Sequence, residues 1–299
     1  MPKKIPVLLI IFNRIEHALS TLKAIQEYAP EDLFIAADGW RSDKEREVCE
    51  QTRSAVLNAI TWDCNIHTLF QEKNLGCGRG PATAISWFFD NEPYGIILED
   101  DNVPSADAFK VCEDLLPRYE NNTAIRMINL SNGWDIRSKD SYTFIKYPEI
   151  SGWASWARAW KDFIFELNLK QILKNIRPFT YFSFFEAIIR VFLWKRAWQS
   201  DIKKYGRLTF WDYQWSLAIF AGKGLCIQCC KNMISNIGFG SGSHCPDKEH
   251  PMSLLPYEKM DFPLVHPDSV VLDKRNDRKF SKKWLGIFFY NLLSKLKRK

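Results

Sequence analysis

Residues 94–105 read YGIILEDDNVPS. An apolar run, the signature of a strand buried on both faces, leads straight into three carboxylates, Glu99, Asp100 and Asp101. Like charges side by side at the end of a buried run repel one another and lose hydration, so something positive must meet them. One reading makes these acids caps for a helix that begins near Ser105. The other makes them ligands of a divalent cation. Such ions take hard oxygen donors, and often only one or two carboxylates when a substrate diphosphate supplies the rest.

The chain before this stretch repeats one grammar. IPVLLIIF (5–12), DLFIAADGW (32–40) and NIHTLFQE (65–72) read as strands, and 94–100 as a fourth. Between them, EHALSTLKAIQEY (16–28) and SDKEREVCEQTRSAVLNAI (42–60) carry helical apolar spacing, with Ser42 a candidate N-cap and Glu45 three residues on. NLGCGRGPATAISWFFDN (74–91) reads as a Gly-rich loop followed by a helix. Four strand–helix alternations predict parallel strands joined by right-handed crossovers, an α/β sheet. Ligands of such sheets bind beyond the carboxyl ends of the strands. Arg14, Asp38, Gly76 to Arg79, Asp100 and Asp101 all follow strand ends, so the spacing predicts one shared crevice.

Beyond about residue 145 the pattern changes. YPEISGWASWARAW (147–160) is Trp-rich and shows no strand alternation. Residues 178–202 read as one long aromatic helix or a helix pair. TFWDYQWSLAIFAGKG (209–224) reads as a helix whose start carries Asp212, and LCIQCCKNMISNIGFGSGSH (225–244) as a strand and then a Gly/Ser loop. The expected organisation is a ligand-binding half over 1–145, a second, α-rich half over 146–270 and a basic amphipathic tail over 271–299.

Composition narrows the function classes. Of 299 residues, 46% are hydrophobic and 14% aromatic, which excludes a globally disordered chain. The net charge of +6 is concentrated in the tail, where residues 279–299 hold Lys279, Lys282, Lys283, Lys295, Lys297, Arg298, Lys299 and no acid. The remaining body is close to neutral, which argues against a nucleic-acid-binding body. The apolar run near the start is too short for a secretory signal, and no uncharged stretch is long enough to span a bilayer, so a cytoplasmic chain is expected. In the tail, Trp284, Leu285, Phe288, Phe289, Leu292, Leu293 and Leu296 recur at helical steps. They describe either a helix packed on the body or an interfacial helix making peripheral contact with an anionic membrane. The eight Cys read as thiols. Cys226 and Cys229 form a C-x-x-C, but His244 and Cys245 lack the spacing of a second zinc pair.

The motifs IIFNR, AADG, EDD, SGWASWARAW, FWDYQW and ISNIGFGSGSH follow one another over roughly residues 5–245. In that order they resemble the N-acetylglucosaminyltransferase I family of GT-A glycosyltransferases. The resemblance implies a GT-A, Rossmann-like α/β fold and a Mn²⁺ or Mg²⁺ cofactor. It also implies inverting transfer of N-acetylglucosamine or another hexose from a UDP-sugar to a glycan or lipid-linked acceptor, as in surface polysaccharide synthesis. Carried over residue by residue, Arg14 and Asp38 hold the nucleotide, with Asp38 accepting from the uracil imide. Glu99 and Asp100 belong to the donor site, Asp100 on ribose or donor-sugar hydroxyls. Asp101 ligates the metal, and Asp212 is the catalytic base or else an acid at a helix start. Arg79 and the amides around it either approach the diphosphate or form a tight turn. Gly152 and Trp153 form a wall for the donor sugar or a core turn, and His244 sits on a mobile loop that closes on the nucleotide, either as a metal ligand or as a loop residue alone.

Three other classes compete. A retaining transferase needs the same acids. A sugar-phosphate nucleotidyltransferase needs a Gly-rich basic loop directly after the first strand, where this chain has FNRIEHAL. A carbohydrate-binding module needs no catalysis and would use the acids only as caps.

Overall fold

The computed structural model describes residues 4–166, 170, 173–174, 177, 182–239 and 255–297, with the backbone alone beyond residue 286. Strands β1 (Val7–Ile11), β2 (Asp32–Ala37), β3 (Asn65–Phe70) and β4 (Tyr94–Glu99) alternate with helices α1 (Ile15–Tyr28), α2 (Asp43–Asn58) and α3 (Gly76–Asn91). Each strand comes from an apolar run, and β1, β2 and β4 are buried almost throughout. On α1, Ala18, Thr21, Leu22 and Ile25 face the core at three- and four-residue steps. That helix ends where Ala29 turns left-handed (φ 51°), its N–H closing on the Ile25 carbonyl at 2.8 Å, and Pro30 prevents continuation.

Next come β5 (Asn102–Pro104), α4 (Ala106–Arg118), β6 (Ile125–Asn129), β7 (Tyr142–Ile145), β8 (Trp153–Trp156) and the short α5 (Ala157–Trp160). The chain continues with α6 (Phe184–Tyr205), α7 (Asp212–Ala221), β9 (Leu225–Cys229), β10 (Ile234–Asn236) and α8 (Lys274–Lys297). Among the described residues the main sheet has the order β3-β2-β1-β4-β8-β6-β9-β7, and β5 pairs with β10 in a separate ribbon. Only β8 and β7 oppose the common direction. This is the Rossmann-like, mostly parallel α/β sheet flanked by helices that the alternation predicts. Strands from both sides of residue 145 interleave in it and share one core.

Several local expectations are corrected. Ser42 precedes α2 but makes no side-chain cap; Glu45 instead accepts the Arg41 N–H at 2.9 Å. The Gly-rich stretch is not a loop, because α3 starts at Gly76 itself. A Cβ on Gly78 would come within 2.9 Å of the Thr209–Phe210 backbone, so these glycines permit close packing. The Trp-rich segment 147–160 contains β8, a central strand. Both of its faces are buried, so no polar alternation betrays it. Cys226 and Cys229 sit three residues apart on β9, which puts them on opposite faces of the sheet and rules out a shared metal. His244 and Cys245 lie outside the described residues.

The start of α8 is part of the core. Phe280 is 4% exposed and stacks on Tyr147 with centroids 4.3 Å apart. Asp277 pairs with Lys146 at 2.9 Å, and Ser281 donates to Glu186 at 2.7 Å. No described helix is long and apolar enough to cross a membrane.

Candidate active site

The register of the sheet puts several strand ends at one edge. Ile11 pairs with Ala37, and Ile10 with Glu99, so the residues that follow β1, β2 and β4 emerge together. Arg14 leaves β1 and turns its guanidinium across to the acids after β4. Its Nε donates to Asp100 Oδ2 at 3.0 Å, and its Nη2 donates to Asp100 Oδ1 and, at 2.9 Å, to Asp101 Oδ2. Burial works against the Arg14 charge, but the two carboxylates more than offset it, and its pKa lies above the ordinary value. Thr21 fixes the backbone beneath by donating to the Asp100 carbonyl at 2.8 Å.

Glu99 sits behind this pair. Burial, then the charges of Asp101 and Asp100, push its carboxyl up to about 8; Arg14 opposes the shift and Asp212 adds to it. The influence of Asp212 places that residue within electrostatic reach of the acid cluster. It is the first residue of α7, with Trp211 at the N-cap position, and its backbone start faces a cavity of about 310 Å³.

That cavity lies beyond the ends of β6 and β8 and is walled by Tyr147, Trp194, Tyr213 and, from α8, Phe280 and Trp284. Glu149 and Ser131 supply its polar floor. The Ser131 hydroxyl donates to Glu149 Oε2 at 2.6 Å, while Glu149 Oε1 is buried and makes no hydrogen bond. Burial pushes the Glu149 carboxyl up to about 8. Sequence reasoning passed over Glu149. The available signal was a lone acid among apolar residues in YPEISGW.

Asp101 is also gripped by its neighbour and by the chain after β10. Asn102 Nδ2 donates to its Oδ1 at 2.5 Å, and the Ile237 N–H donates to its carbonyl at 2.9 Å. A Cβ on Gly238 would overlap Asp101 Oδ2. The residues after β10, where the Gly/Ser stretch begins, thus lie directly on the carboxylate. His244, further along, is outside the described residues.

Other expected site residues have different tasks. Asp38 emerges at the same edge, but four donors fill its oxygens: the N–H groups of Gly39, Leu75 and Gly76 at 2.9, 2.8 and 2.8 Å, and Asn74 Nδ2 at 3.0 Å. It caps the start of α3 from the neighbouring strand, and little acceptor capacity remains for a uracil imide. Arg79 points to a smaller cavity, pairs with Glu166 and lies over Phe165 at 4.7 Å, with none of these contacts to the acid cluster. Trp153 is 1% exposed and stacks on Trp211 at 5.9 Å, so it is a core residue and cannot present a wall to a sugar. Gly152 (φ 66°) serves that core: a Cβ would come within 2.5 Å of Ile234 Cδ1.

A divalent cation would meet compatible chemistry here. Asp101 offers hard oxygen donors, although Asn102 and Arg14 already engage both of its oxygens and the Gly238 backbone lies against Oδ2. Among the described residues no three His, Cys, Asp or Glu converge as a complete metal site, so a substrate would have to supply further ligands.

No protein-family model matches the chain, and no curated protein matches it. Among solved structures, HddC from Yersinia pseudotuberculosis aligns at 8% identity with a TM-score of 0.29, over 47% of this chain and 59% of its own. The chain thus spans about three fifths of the length of HddC. The galactosyltransferase LgtC, solved with donor and acceptor sugar analogues, aligns at 8% identity with a TM-score of 0.37, over 93% of this chain and 95% of its own. Likenesses this distant carry no argument about activity.

Proposed function

We propose that this chain is an inverting, metal-dependent glycosyltransferase of the GT-A type. In this reading it moves a sugar, N-acetylglucosamine or another hexose, from a UDP-sugar to a glycan or lipid-linked acceptor of surface polysaccharide. The observation that carries the reading is the arrangement at the carboxyl edge of the sheet. Asp100 and Asp101 meet Arg14 there, with Asp212 within electrostatic reach and beside an aromatic cavity suited to a sugar ring. Aromatic faces pack on the apolar face of a sugar, while Ser131, Glu149 and Asp212 offer partners for its hydroxyls.

Asp101 would hold Mn²⁺ or Mg²⁺ with the substrate diphosphate. A cation bound there offsets the negative charge that grows on the leaving group. Asp212 takes the proton of the acceptor hydroxyl as that oxygen attacks the anomeric carbon from the face opposite the diphosphate. The new carbon–oxygen bond forms as the bond to the diphosphate breaks. The bond's electron pair leaves with UDP, and the proton ends on the Asp212 carboxylate. The aromatic walls exclude water that would otherwise hydrolyse the donor.

Calorimetry and turnover assays with UDP-sugars test this together. Asp101→Asn should abolish Mn²⁺-dependent UDP binding, and unchanged metal-dependent affinity would remove the metal assignment. Asp212→Asn should keep donor binding and lower turnover by roughly 10²–10⁴-fold. Turnover within a few-fold of the parent would make Asp212 only a helix-start acid.

A further inference from the structure

The inward side of α6 is occupied by Glu186, Ala187, Arg190, Trp194 and Trp198, all buried. Its outward side is unusual for a helix in water. Phe184 is 64% exposed, Phe185 75%, Ile188 44% and Phe192 54%. At about 3.6 residues per turn these four share one face. Contiguous apolar patches of this kind mark surfaces that meet something other than water.

The charges beside the patch indicate what that is. Further along the same face, Lys195, Arg196 and Lys203 are exposed, and no acid accompanies them. Both acids of α6 are used elsewhere. Glu186 accepts from Tyr147 and Arg190, each at 2.8 Å, and Asp201 accepts from the Thr209 N–H and hydroxyl at 2.7 Å. Helix α8 runs alongside, with Trp284 under the Arg190 guanidinium at 4.1 Å, Lys282 exposed, and Lys283 donating to the Trp134 carbonyl at 2.7 Å. An apolar face with a basic flank and no acid complements an anionic lipid surface. A second copy of this chain would bring the same basic residues onto themselves across a two-fold axis, which like-charge repulsion opposes.

We propose that this face of α6 is a membrane-docking surface. Phe184, Phe185, Ile188 and Phe192 enter the headgroup–acyl boundary of an anionic bilayer, and Lys195, Arg196 and Lys203 engage its lipid phosphates. The opposite side of the same helix supplies Arg190, Leu193 and Trp194 to the cavity beside Asp212. Docking therefore holds that cavity close to the bilayer, where a lipid-borne ligand would be presented. The docking itself does not depend on the transferase reading, since it is read without substrate.

Co-sedimentation of the full chain with phosphatidylcholine vesicles, with and without phosphatidylglycerol, tests the surface. The parent should pellet with the anionic vesicles. F184S/F185S/F192S should bind them about tenfold more weakly or worse, because three exposed rings no longer enter the apolar boundary. K195E/R196E leaves the apolar face intact and should lose the preference for phosphatidylglycerol; it decides the matter if the Phe variant melts at a lower temperature. A chain ended after Gly286 should still pellet. A parent that ignores both vesicle types overturns the proposal. So does loss of binding on ending the chain at Gly286 while the triple variant binds normally, which would assign the bilayer to the tail alone. A parent that stays off vesicles but forms a dimer dissolved by the triple variant also overturns it, and makes the face a self-interface.

Discussion

Arg14 holds Asp100 by two guanidinium bonds, Nε to Oδ2 at 3.0 Å and Nη2 to Oδ1, across the gap between the ends of β1 and β4. The compensation that three adjacent acids demand thus comes first from within the chain. The Asp100 side chain is 6% exposed and that of Arg14 26%. Arg14→Ala should therefore cost about 2–3 kcal/mol, below the usual loss for a fully buried pair because water reaches part of the guanidinium. Arg14→Lys should recover only part of that, since one ammonium cannot fork onto both Asp100 oxygens. Adding Asp100→Asn to Arg14→Ala should restore stability by removing the stranded charge. Urea denaturation measures all three, and a single Arg14→Ala variant within ~0.5 kcal/mol of the parent would show that the clamp is not structural.

Glu149 gives a pH prediction with a defined sign. Burial raises its folded pKa to about 8, against an unfolded value of about 4.3. Between these values the folded chain keeps a proton that the unfolded chain has released, so this residue's contribution to stability falls as pH rises from about 4.3 to 8. Glu149→Gln keeps the shape and removes the titration. The variant's thermal midpoint relative to the parent should therefore climb through that window and level off above it. A difference independent of pH would mean that Glu149 is ionised in the folded chain.

The alternating first half was readable because a strand buried on both faces leaves an uninterrupted apolar run, and its ends align wherever the strands are parallel. That logic located Arg14, Asp100 and Asp101 at one edge. It failed for β8, where Trp153 and Trp156 are fully buried yet flank Ala154 and Ser155 in a segment too short and too mixed to show a period. It failed for Trp153 as a site residue for a related reason: Gly152-Trp153 has the composition of an exposed binding wall, and only three-dimensional packing on Trp211 and Trp215 reveals a core. Asp38 shows the same limit. An acid after a strand end can face a ligand or cap a neighbouring helix, and local sequence does not distinguish the two.

Gly238 offers a way to disturb Asp101 without changing it. A Cβ at that position would overlap Asp101 Oδ2, so either the carboxylate or the chain after β10 must move. If Asp101 holds the metal, Gly238→Ala should weaken Mn²⁺-dependent UDP binding by about tenfold or more, because small misplacements at a reacting centre are costly. Metal-independent nucleotide binding should change much less. Equal affinity with and without the added methyl, measured by calorimetry, would separate Asp101 from the metal.

The first turns of the basic tail belong to the core. Phe280 stacks on Tyr147 with centroids 4.3 Å apart and lies tilted against Trp134 at 4.4 Å, Ser281 bonds Glu186, and Phe280 and Trp284 close one wall of the cavity beside Asp212. A chain ended after Arg278 loses all of these. It should be destabilised by more than ~3 kcal/mol, the usual loss for one large buried aromatic side chain, and the buried Glu186 loses a hydrogen-bond donor as well. A chain ended after Gly286 keeps them and should melt above the one ended after Arg278. Thermal melts of the two truncations decide the point. Equal midpoints for both would mean that the first three turns of α8 contribute nothing to the core, and the cavity would then be open on that side.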